Sequence, residues 1–243
     1  MAWKIFVIIF AFTLATYVAA EIPSYIHLCG RKDPNLDKCV TNSVENLRSY
    51  ICRGIPELTV PALESFPVNT IVISDTYNAK LYFKDLKIMR LCDFVINFFH
   101  IDMDKLHIDV DLSFKHIYVN GTYDFDIRLL VPFVHKGPVS LNSDNVRATL
   151  GGDMKLITKN NKRYSYLSKI TTKLDVKTVD VKFEEQDSSQ LNEILNSFIG
   201  NNKRELIDKL APPFEIEISK QLLLIANAII KHFTFDELFP EQV

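Results

Sequence analysis

The stretch KLHIDVDLSFK, residues 105–115, alternates apolar and polar side chains without a break. Its apolar members all have even numbers: they are Leu106, Ile108, Val110, Leu112 and Phe114. Successive side chains of a β-strand point to opposite faces, so this spacing predicts a strand with one apolar face. Strands of this kind are typical of antiparallel sheets that bury one face and expose the other.

The next run, GTYDFDIRLL, repeats the alternation, and its apolar positions are Tyr123, Phe125, Ile127 and Leu129. Asn120-Gly121 between the two runs is a hairpin signal. Further strands are predicted at 68–74, 79–91, 146–158, 164–174 and 176–183. The sequence therefore predicts a meandering antiparallel sheet with one apolar side.

Helical periodicity replaces this alternation near both ends of the chain. Residues 34–53 carry apolar side chains at steps of three or four, and Gly54 follows as a stop signal. Weaker helical patterns occupy 190–199 and 203–210. From Pro213 a stripe about twenty residues long is predicted, formed by Phe214, Ile218, Leu222, Ile225, Ile229 and Phe233. Because other apolar residues widen this stripe, we expect the sheet to surround the helix almost completely, in an α+β fold.

The first twenty residues, MAWKIFVIIFAFTLATYVAA, predict a secretory signal peptide. Lys4 is their only charge, an apolar core follows it, and small residues end the segment at Ala20. The apolar run is shorter than the roughly 20 residues that span hydrocarbon. We therefore expect a signal peptide over 1–20 and a single domain over 21–243 that is secreted and not stably inserted in a membrane.

The four cysteines are expected to meet an oxidising environment after export. Cys29 and Cys39 enclose a short loop with Pro34 inside it, and their spacing favours a disulfide that fastens the start of the first helix. The chain has neither the C-x-x-C spacing of a redox site nor the paired spacing of a zinc site. Cys52 and Cys92 are either a second disulfide or two buried thiols.

No catalytic, metal-binding or cofactor-binding motif stands out. The six histidines are scattered, and H-E-x-x-H, G-x-S-x-G and Gly-rich phosphate loops do not occur, so an enzyme is not expected. The pairs Asp102/Asp104 and Asp109/Asp111 lack the spacing of a calcium loop and are predicted to lie on a solvated outer surface. A net charge of −2 with dispersed Lys and Arg argues against nucleic acid as a partner.

Asn120-Gly121-Thr122 is an N-glycosylation sequon. It falls at the predicted hairpin of a chain that we expect to be exported. We therefore predict Asn120 as a glycosylation site.

Seventeen Phe and nine Tyr suit either a pocket for an apolar ligand or a solid core. These two alternatives correspond to a carrier of a hydrophobic small molecule and to a secreted interaction protein without a ligand. The predicted lining combines inward strand positions with one face of the long helix: Leu106, Ile108, Val110, Phe125, Ile127, Leu222, Ile225 and Ile229.

Both ends of the chain resemble a known family. IPSYIHLCGRKDPNLDKCVTNSVENLRSYICRGIPEL, residues 22–58, is similar to the N-terminal signature of the insect takeout and haemolymph juvenile hormone-binding protein family. FTFDELFP, residues 233–240, resembles the closing segment of that family, and residues 119–133 and 196–202 also fit.

The resemblance implies a tubular lipid-binding fold, in which a strongly curved antiparallel sheet wraps a long helix and encloses an apolar tunnel. Members of the family are secreted carriers of juvenile hormone-like terpenoids, fatty acids or other long apolar molecules, in circadian, feeding or chemosensory physiology. The alternative is a secreted signalling or interaction protein with a vestigial cavity.

The cysteines refine the resemblance. Cys29 and Cys39 match the N-terminal disulfide of the family, whereas a bridge between Cys52 and Cys92 would be particular to this chain. The later cysteine pair of the lepidopteran hormone carriers is absent, so the takeout branch is the closer match.

Overall fold

A computed structural model describes residues 22–128, 132–183 and 203–242. The predicted signal peptide over 1–20, the helical pattern at 190–199 and the family-like stretch 196–202 lie outside these ranges.

Within these ranges, seven antiparallel strands form one sheet. They are β1 (Ser65–Asp75), β2 (Ala79–Met89), β3 (Val95–Asp102), β4 (His107–Arg128), β5 (Pro132–Lys159), β6 (Lys162–Asp175) and β7 (Thr178–Phe183). The strand order is β1-β2-β4-β5-β6, while β3 pairs with the first part of β4 and β7 pairs with the first part of β5.

The described residues also form three α-helices: α1 (Leu36–Arg53), α2 (Lys203–Ile230) and α3 (Phe235–Leu238). Helix α2 packs against β1 and β6, which lie at opposite ends of the strand order. The sheet is therefore curled into a half-barrel whose open side is crossed by α2, and the predicted α+β fold is confirmed. In the described part of the chain, no helix has both the length and the apolar character that a membrane span needs.

Helix α2 differs from its prediction in length and in environment. It begins ten residues before Pro213 and continues through both Pro212 and Pro213. Its outer side faces solvent, since Ile216 is 70% exposed and Leu224 is 57% exposed. The expectation that the sheet surrounds this helix is wrong, because the half-barrel covers only one side of it.

The hairpin predicted at Asn120-Gly121 is also wrong, because both residues lie inside β4. Asn120 pairs with Lys87 of β2 on one side and with Ser140 of β5 on the other. It lies, half-buried, in the middle of a strand rather than at a turn. The sequon therefore loses the turn on which its prediction was based, and glycosylation of Asn120 stays a prediction.

The two alternating runs belong to one strand whose phase changes along its length. The side chains that face the interior have even numbers up to Phe114 and odd numbers from Ile117 onward. On the neighbouring strand β5, the inward-facing positions change from odd to even numbers between Ser143 and Val146, where Asn145 has a φ of 54°. The register of the two strands is unchanged across this point. Both strands change phase together, so every side chain after this point lies on the other face than continued alternation would give. One strand therefore has the sequence pattern of two.

Both disulfides tie α1 to its surroundings. Cys29 is bonded to Cys39 in the first turns of the helix, with the Cα atoms 5.9 Å apart. Cys52 near its last turn is bonded to Cys92, with the Cα atoms 5.6 Å apart. Of the two alternatives for the second pair, the structure shows the disulfide, which joins α1 to a short 3-10 helix, Leu91–Asp93.

Asp111 does not lie on a solvated surface as predicted. It is 6% exposed, although it belongs to the outer face of the sheet. Its carboxylate accepts hydrogen bonds from Asn97 Nδ2 (2.6 Å) and Arg147 Nε (2.7 Å). These partners lie on β3 and β5, so Asp111 connects three strands on the outer face and is shielded by the side chains that it binds.

Candidate ligand-binding site

The interior of the half-barrel is filled with side chains at both ends. At one end an aromatic cluster contains Phe83, Tyr123, Phe125 and Phe183, with the rings of Tyr123 and Phe183 4.9 Å apart in an edge-to-face arrangement. At the other end a disulfide-end cluster contains Cys29, Leu36, Ile101, Met154 and Leu167.

Between these clusters lies a cavity of about 420 Å³. Its lining follows β5 from Leu141 to Leu150, a distance of roughly 30 Å at 3.3 Å per residue. The volume is within the range of small-molecule sites in proteins, which is about 300–1,000 Å³. The cavity is thus elongated along the strands and large enough for a small organic molecule.

The wall of the cavity is almost entirely apolar. Among the described residues that line it, only Ser143 and Thr172 have polar side chains, and none is charged. The sheet contributes Phe66, Ile88, Ile96, Phe99, Val110, Leu112, Phe114, Ile117, Val119, Leu141, Val146, Ala148, Leu150, Leu174 and Val179; α2 contributes Ile207, Leu210, Ala211, Phe214, Ile218 and Leu222. An apolar molecule would gain about 25 cal/mol for each Å² of apolar surface that it buries against such a wall.

Helix α1 covers one side of the cavity with Val44 and Ile51. Its position is held by Arg48, whose guanidinium lies 3.8 Å from the ring centre of Phe94 and donates hydrogen bonds to the carbonyl oxygens of Cys92 and Phe94. Since Phe94 also lines the cavity, these contacts and the Cys52–Cys92 disulfide fix part of the wall.

Helix α2 is held against the edge of β6 by polar side chains. Asn227 accepts from the main-chain N–H of Leu167 and donates to its carbonyl oxygen, both at 2.8 Å. Glu215 accepts from the main-chain N–H of Leu174 and from Lys173 Nζ, both at 2.9 Å. These side chains satisfy edge groups of β6 that have no strand partner among the described residues.

Two of the eight predicted lining residues, Val110 and Leu222, line the cavity. The other predicted strand residues lie in the filled ends of the half-barrel. Phe125 and Ile127 are fully buried on the side of the aromatic cluster, whereas Leu106 and Ile108 pack against the disulfide-end cluster. An inward-facing position on a strand therefore selects the interior but does not distinguish cavity wall from solid core.

The remaining two predicted residues lie on the far half of α2. Ile225 packs against the core that contains the aromatic cluster, and Ile229 packs beside the buried residue Phe233. Only the part of α2 from Ile207 to Leu222 borders the cavity.

The predicted set also left out most of the residues that do line the cavity. Leu112 and Phe114 continue the alternation of Val110, so the sequence carried a signal for them. Val44 and Ile51 belong to the apolar stripe of α1. The stripe predicts that this face of the helix is buried, but it does not indicate which part of the fold the face packs against. The inward positions of β5 could not be assigned, because the phase changes at Asn145.

A long helix packed into a curled antiparallel sheet around an apolar interior defines this class of protein. Within that class, the chain belongs to the haemolymph juvenile hormone binding protein (JHBP) family, whose model matches residues 5–240. The family resemblance of the sequence is thus confirmed. The family is one of extracellular hydrophobic-ligand carriers rather than of known enzymes, and two disulfides fit a protein of that kind.

One solved structure agrees with this assignment at the level of the fold. Takeout 1 of Epiphyas postvittana matches with a TM-score of 0.70 and 18% sequence identity, over 88% of this chain and 99% of that protein. Lipopolysaccharide binding protein (TM-score 0.35, 14% identity, 80% of this chain and 41% of that one) and latherin (TM-score 0.31, 11% identity, 80% and 74%) are more distant. No curated protein has a sequence that matches this chain.

Proposed function

We propose that this protein is a secreted carrier that binds one hydrophobic small molecule in the cavity between the curled sheet and α2. The observation that carries the proposal is the wall itself: of the 29 described residues that line the cavity, 27 are apolar and two carry hydroxyl groups. A core whose only role were stability would gain from filling this space, because an unfilled volume costs packing energy.

Export is part of the proposal. Residues 1–20 would direct secretion and be removed after Ala20, and the oxidising compartment would allow both disulfides to form. Ligands of the proposed class are long, sparingly soluble molecules such as juvenile hormone-like terpenoids or fatty acyl compounds, for which the family carriers provide the precedent. The work of the protein would be to keep such a molecule out of water during transport.

The proposal is tested by isolating the protein from its native source without detergent, denaturing it and extracting it with organic solvent. Mass spectrometry should then find a hydrophobic compound in about equal molar amount to the protein. If the extract held no such compound and the purified protein also failed to take up added apolar molecules, the cavity would have no carrier role and an interaction protein with a vestigial cavity would be the better description.

A further inference from the structure

The two polar groups of the cavity lie far apart. Ser143 is on β5, opposite Ile117 of β4 and Val179 of β7. Thr172 is on β6, opposite Leu150 of β5. Ser143 and Leu150 are seven residues apart on one strand, which places the two hydroxyl groups roughly 20 Å from each other. Each can therefore meet a different end of an elongated ligand.

The two hydroxyl groups also differ in their hydrogen bonding. Thr172 is buried, and its hydroxyl is 2.9 Å from Ser219 Oγ, which in turn is 2.6 Å from the carbonyl oxygen of Glu215. The hydroxyl of Ser143, which is half-buried, has no hydrogen bond to any residue that the structure describes. A hydroxyl that faces an apolar space without a partner gains more from a ligand oxygen than one that is already engaged.

Ser143 also lies where the wall of the half-barrel is interrupted. Strand β2 pairs with Tyr118 and the residues that follow it on β4, whereas β3 pairs with β4 only up to Ser113. Ile117 in the interval lines both the cavity and a polar groove on the outer surface. The cavity is thus nearest to polar surroundings at the end that holds Ser143.

We propose that Ser143 is the polar subsite of the cavity and orients the ligand with its oxygen-bearing end towards it. This inference rests on the proposed carrier function and specifies its ligand class: a long neutral molecule with one terminal alcohol, ketone or ester oxygen. A serine hydroxyl donates to or accepts from such a group. A free carboxylate would have to shed its water without meeting a cation in the described wall, which is unfavourable.

Displacement of the fluorescent probe N-phenyl-1-naphthylamine by four compounds with fourteen-carbon chains tests this inference. The compounds are 1-tetradecanol, methyl tetradecanoate, tetradecane and, at pH 8, sodium tetradecanoate. For the wild-type protein we expect the alcohol and the ester to bind at least about tenfold more tightly than the carboxylate. In the Ser143→Ala variant the alcohol and the ester should lose about fivefold in affinity, as expected for one hydrogen bond, while tetradecane is unaffected.

Ser140→Ala is the matched control, because Ser140 lies on the same strand but does not line the cavity; its four affinities should equal those of the wild type. The inference is overturned if Ser143→Ala weakens tetradecane as much as tetradecanol, if Thr172→Val removes the preference instead, or if the carboxylate binds as tightly as the alcohol. A protein that binds neither the probe nor any of the four compounds would overturn the carrier function itself, so the two failures are distinguishable.

Discussion

Gly121 shows how one residue can be required by its neighbours rather than by a turn. Strand β2 is irregular between Lys84 and Lys87, where Asp85 has a φ of 53°. The irregularity pushes Leu86 towards β4 at the position of Gly121. A Cβ atom there would lie 2.8 Å from the carbonyl oxygen of Lys84 and would overlap the side chain of Leu86. Glycine is thus the residue that lets the two strands approach.

Gly121→Ala is therefore expected to destabilise the protein by about 1–3 kcal/mol, the usual cost of overpacking. Urea denaturation of the purified protein measures this cost. Gly152→Ala is the control, since a Cβ at Gly152 would make ordinary contacts, 3.5 Å from Leu167 and 3.9 Å from Ile108; it should change stability by about 0.5 kcal/mol or less. Equal effects of the two substitutions would contradict the close approach at Gly121.

His107 provides a residue-scale test of pH dependence. Its Nδ1 is 2.6 Å from Asp153 and its Nε2 is 3.3 Å from Asp109, so both ring nitrogens donate only when the ring is protonated. The hydrogen bond to Asp153, with a further contribution from Asp109, raises the pKa of His107 above its ordinary value of 6.5. The folded state therefore favours the charged ring.

The sign of the effect follows from the raised pKa. Below pH 6.5 the ring is charged in both the folded and the unfolded state, so its contribution to stability is fully present, and it is lost as the pH rises through the folded-state pKa. The difference in unfolding free energy between wild type and His107→Gln should be larger at pH 5.5 than at pH 8.5. Denaturant titrations at both pH values measure it, and a difference that grows with pH would show that the carboxylates do not stabilise the charged ring.

At the scale of elements, α2 takes the place of a further strand at the edge of β6. Asn227 offers the main chain of Leu167 one acceptor and one donor, as a neighbouring strand would. Glu215 makes one of these two contacts at Leu174, where its carboxylate accepts from the main-chain N–H. The helix closes the open side of the half-barrel through these contacts and through the apolar side chains that it turns to the cavity.

Asn227→Leu should cost about 1–3 kcal/mol, because the N–H and C=O groups of Leu167 would lose their partners beside an apolar side chain. Gln221→Ala is the matched control on the same helix, since among the described residues Gln221 bonds only to Glu217, one turn away. Thermal or urea denaturation compares the two variants. A control variant as unstable as Asn227→Leu would mean that the contact with Leu167 does not hold the helix.

The sequence predicted several elements close to their observed positions. Helix α1 was predicted as 34–53 and is Leu36–Arg53, and the predicted strands at 68–74, 79–91, 164–174 and 176–183 correspond to β1, β2, β6 and β7. Strand β3 was missed, because several of its apolar side chains are exposed at the sheet edge and break the alternation. The first half of β5 was missed for a related reason: the phase change at Asn145 removes a continuous pattern.

At the scale of the whole molecule, the sheet and the helix could be predicted because each needs an apolar partner, but the position of the cavity could not. Alternation places Val110 and Phe125 alike in the interior, yet the first borders empty space and the second is fully buried. The difference depends on how side chains from distant strands fill each end of the half-barrel. That information is distributed over the fold and is not contained in any local pattern.

The measurement that tests the central claim most directly is uptake of N-phenyl-1-naphthylamine by the wild type and by a variant whose cavity is filled. Ala211→Phe adds a ring on the cavity side of α2, and Ala228→Phe adds the same ring on the same helix away from the cavity. The account predicts saturable binding of about one probe per chain to the wild type and to Ala228→Phe, and at least tenfold weaker binding to Ala211→Phe while that variant remains folded by circular dichroism. Equal binding to the two variants would contradict the claim that the cavity is the ligand site.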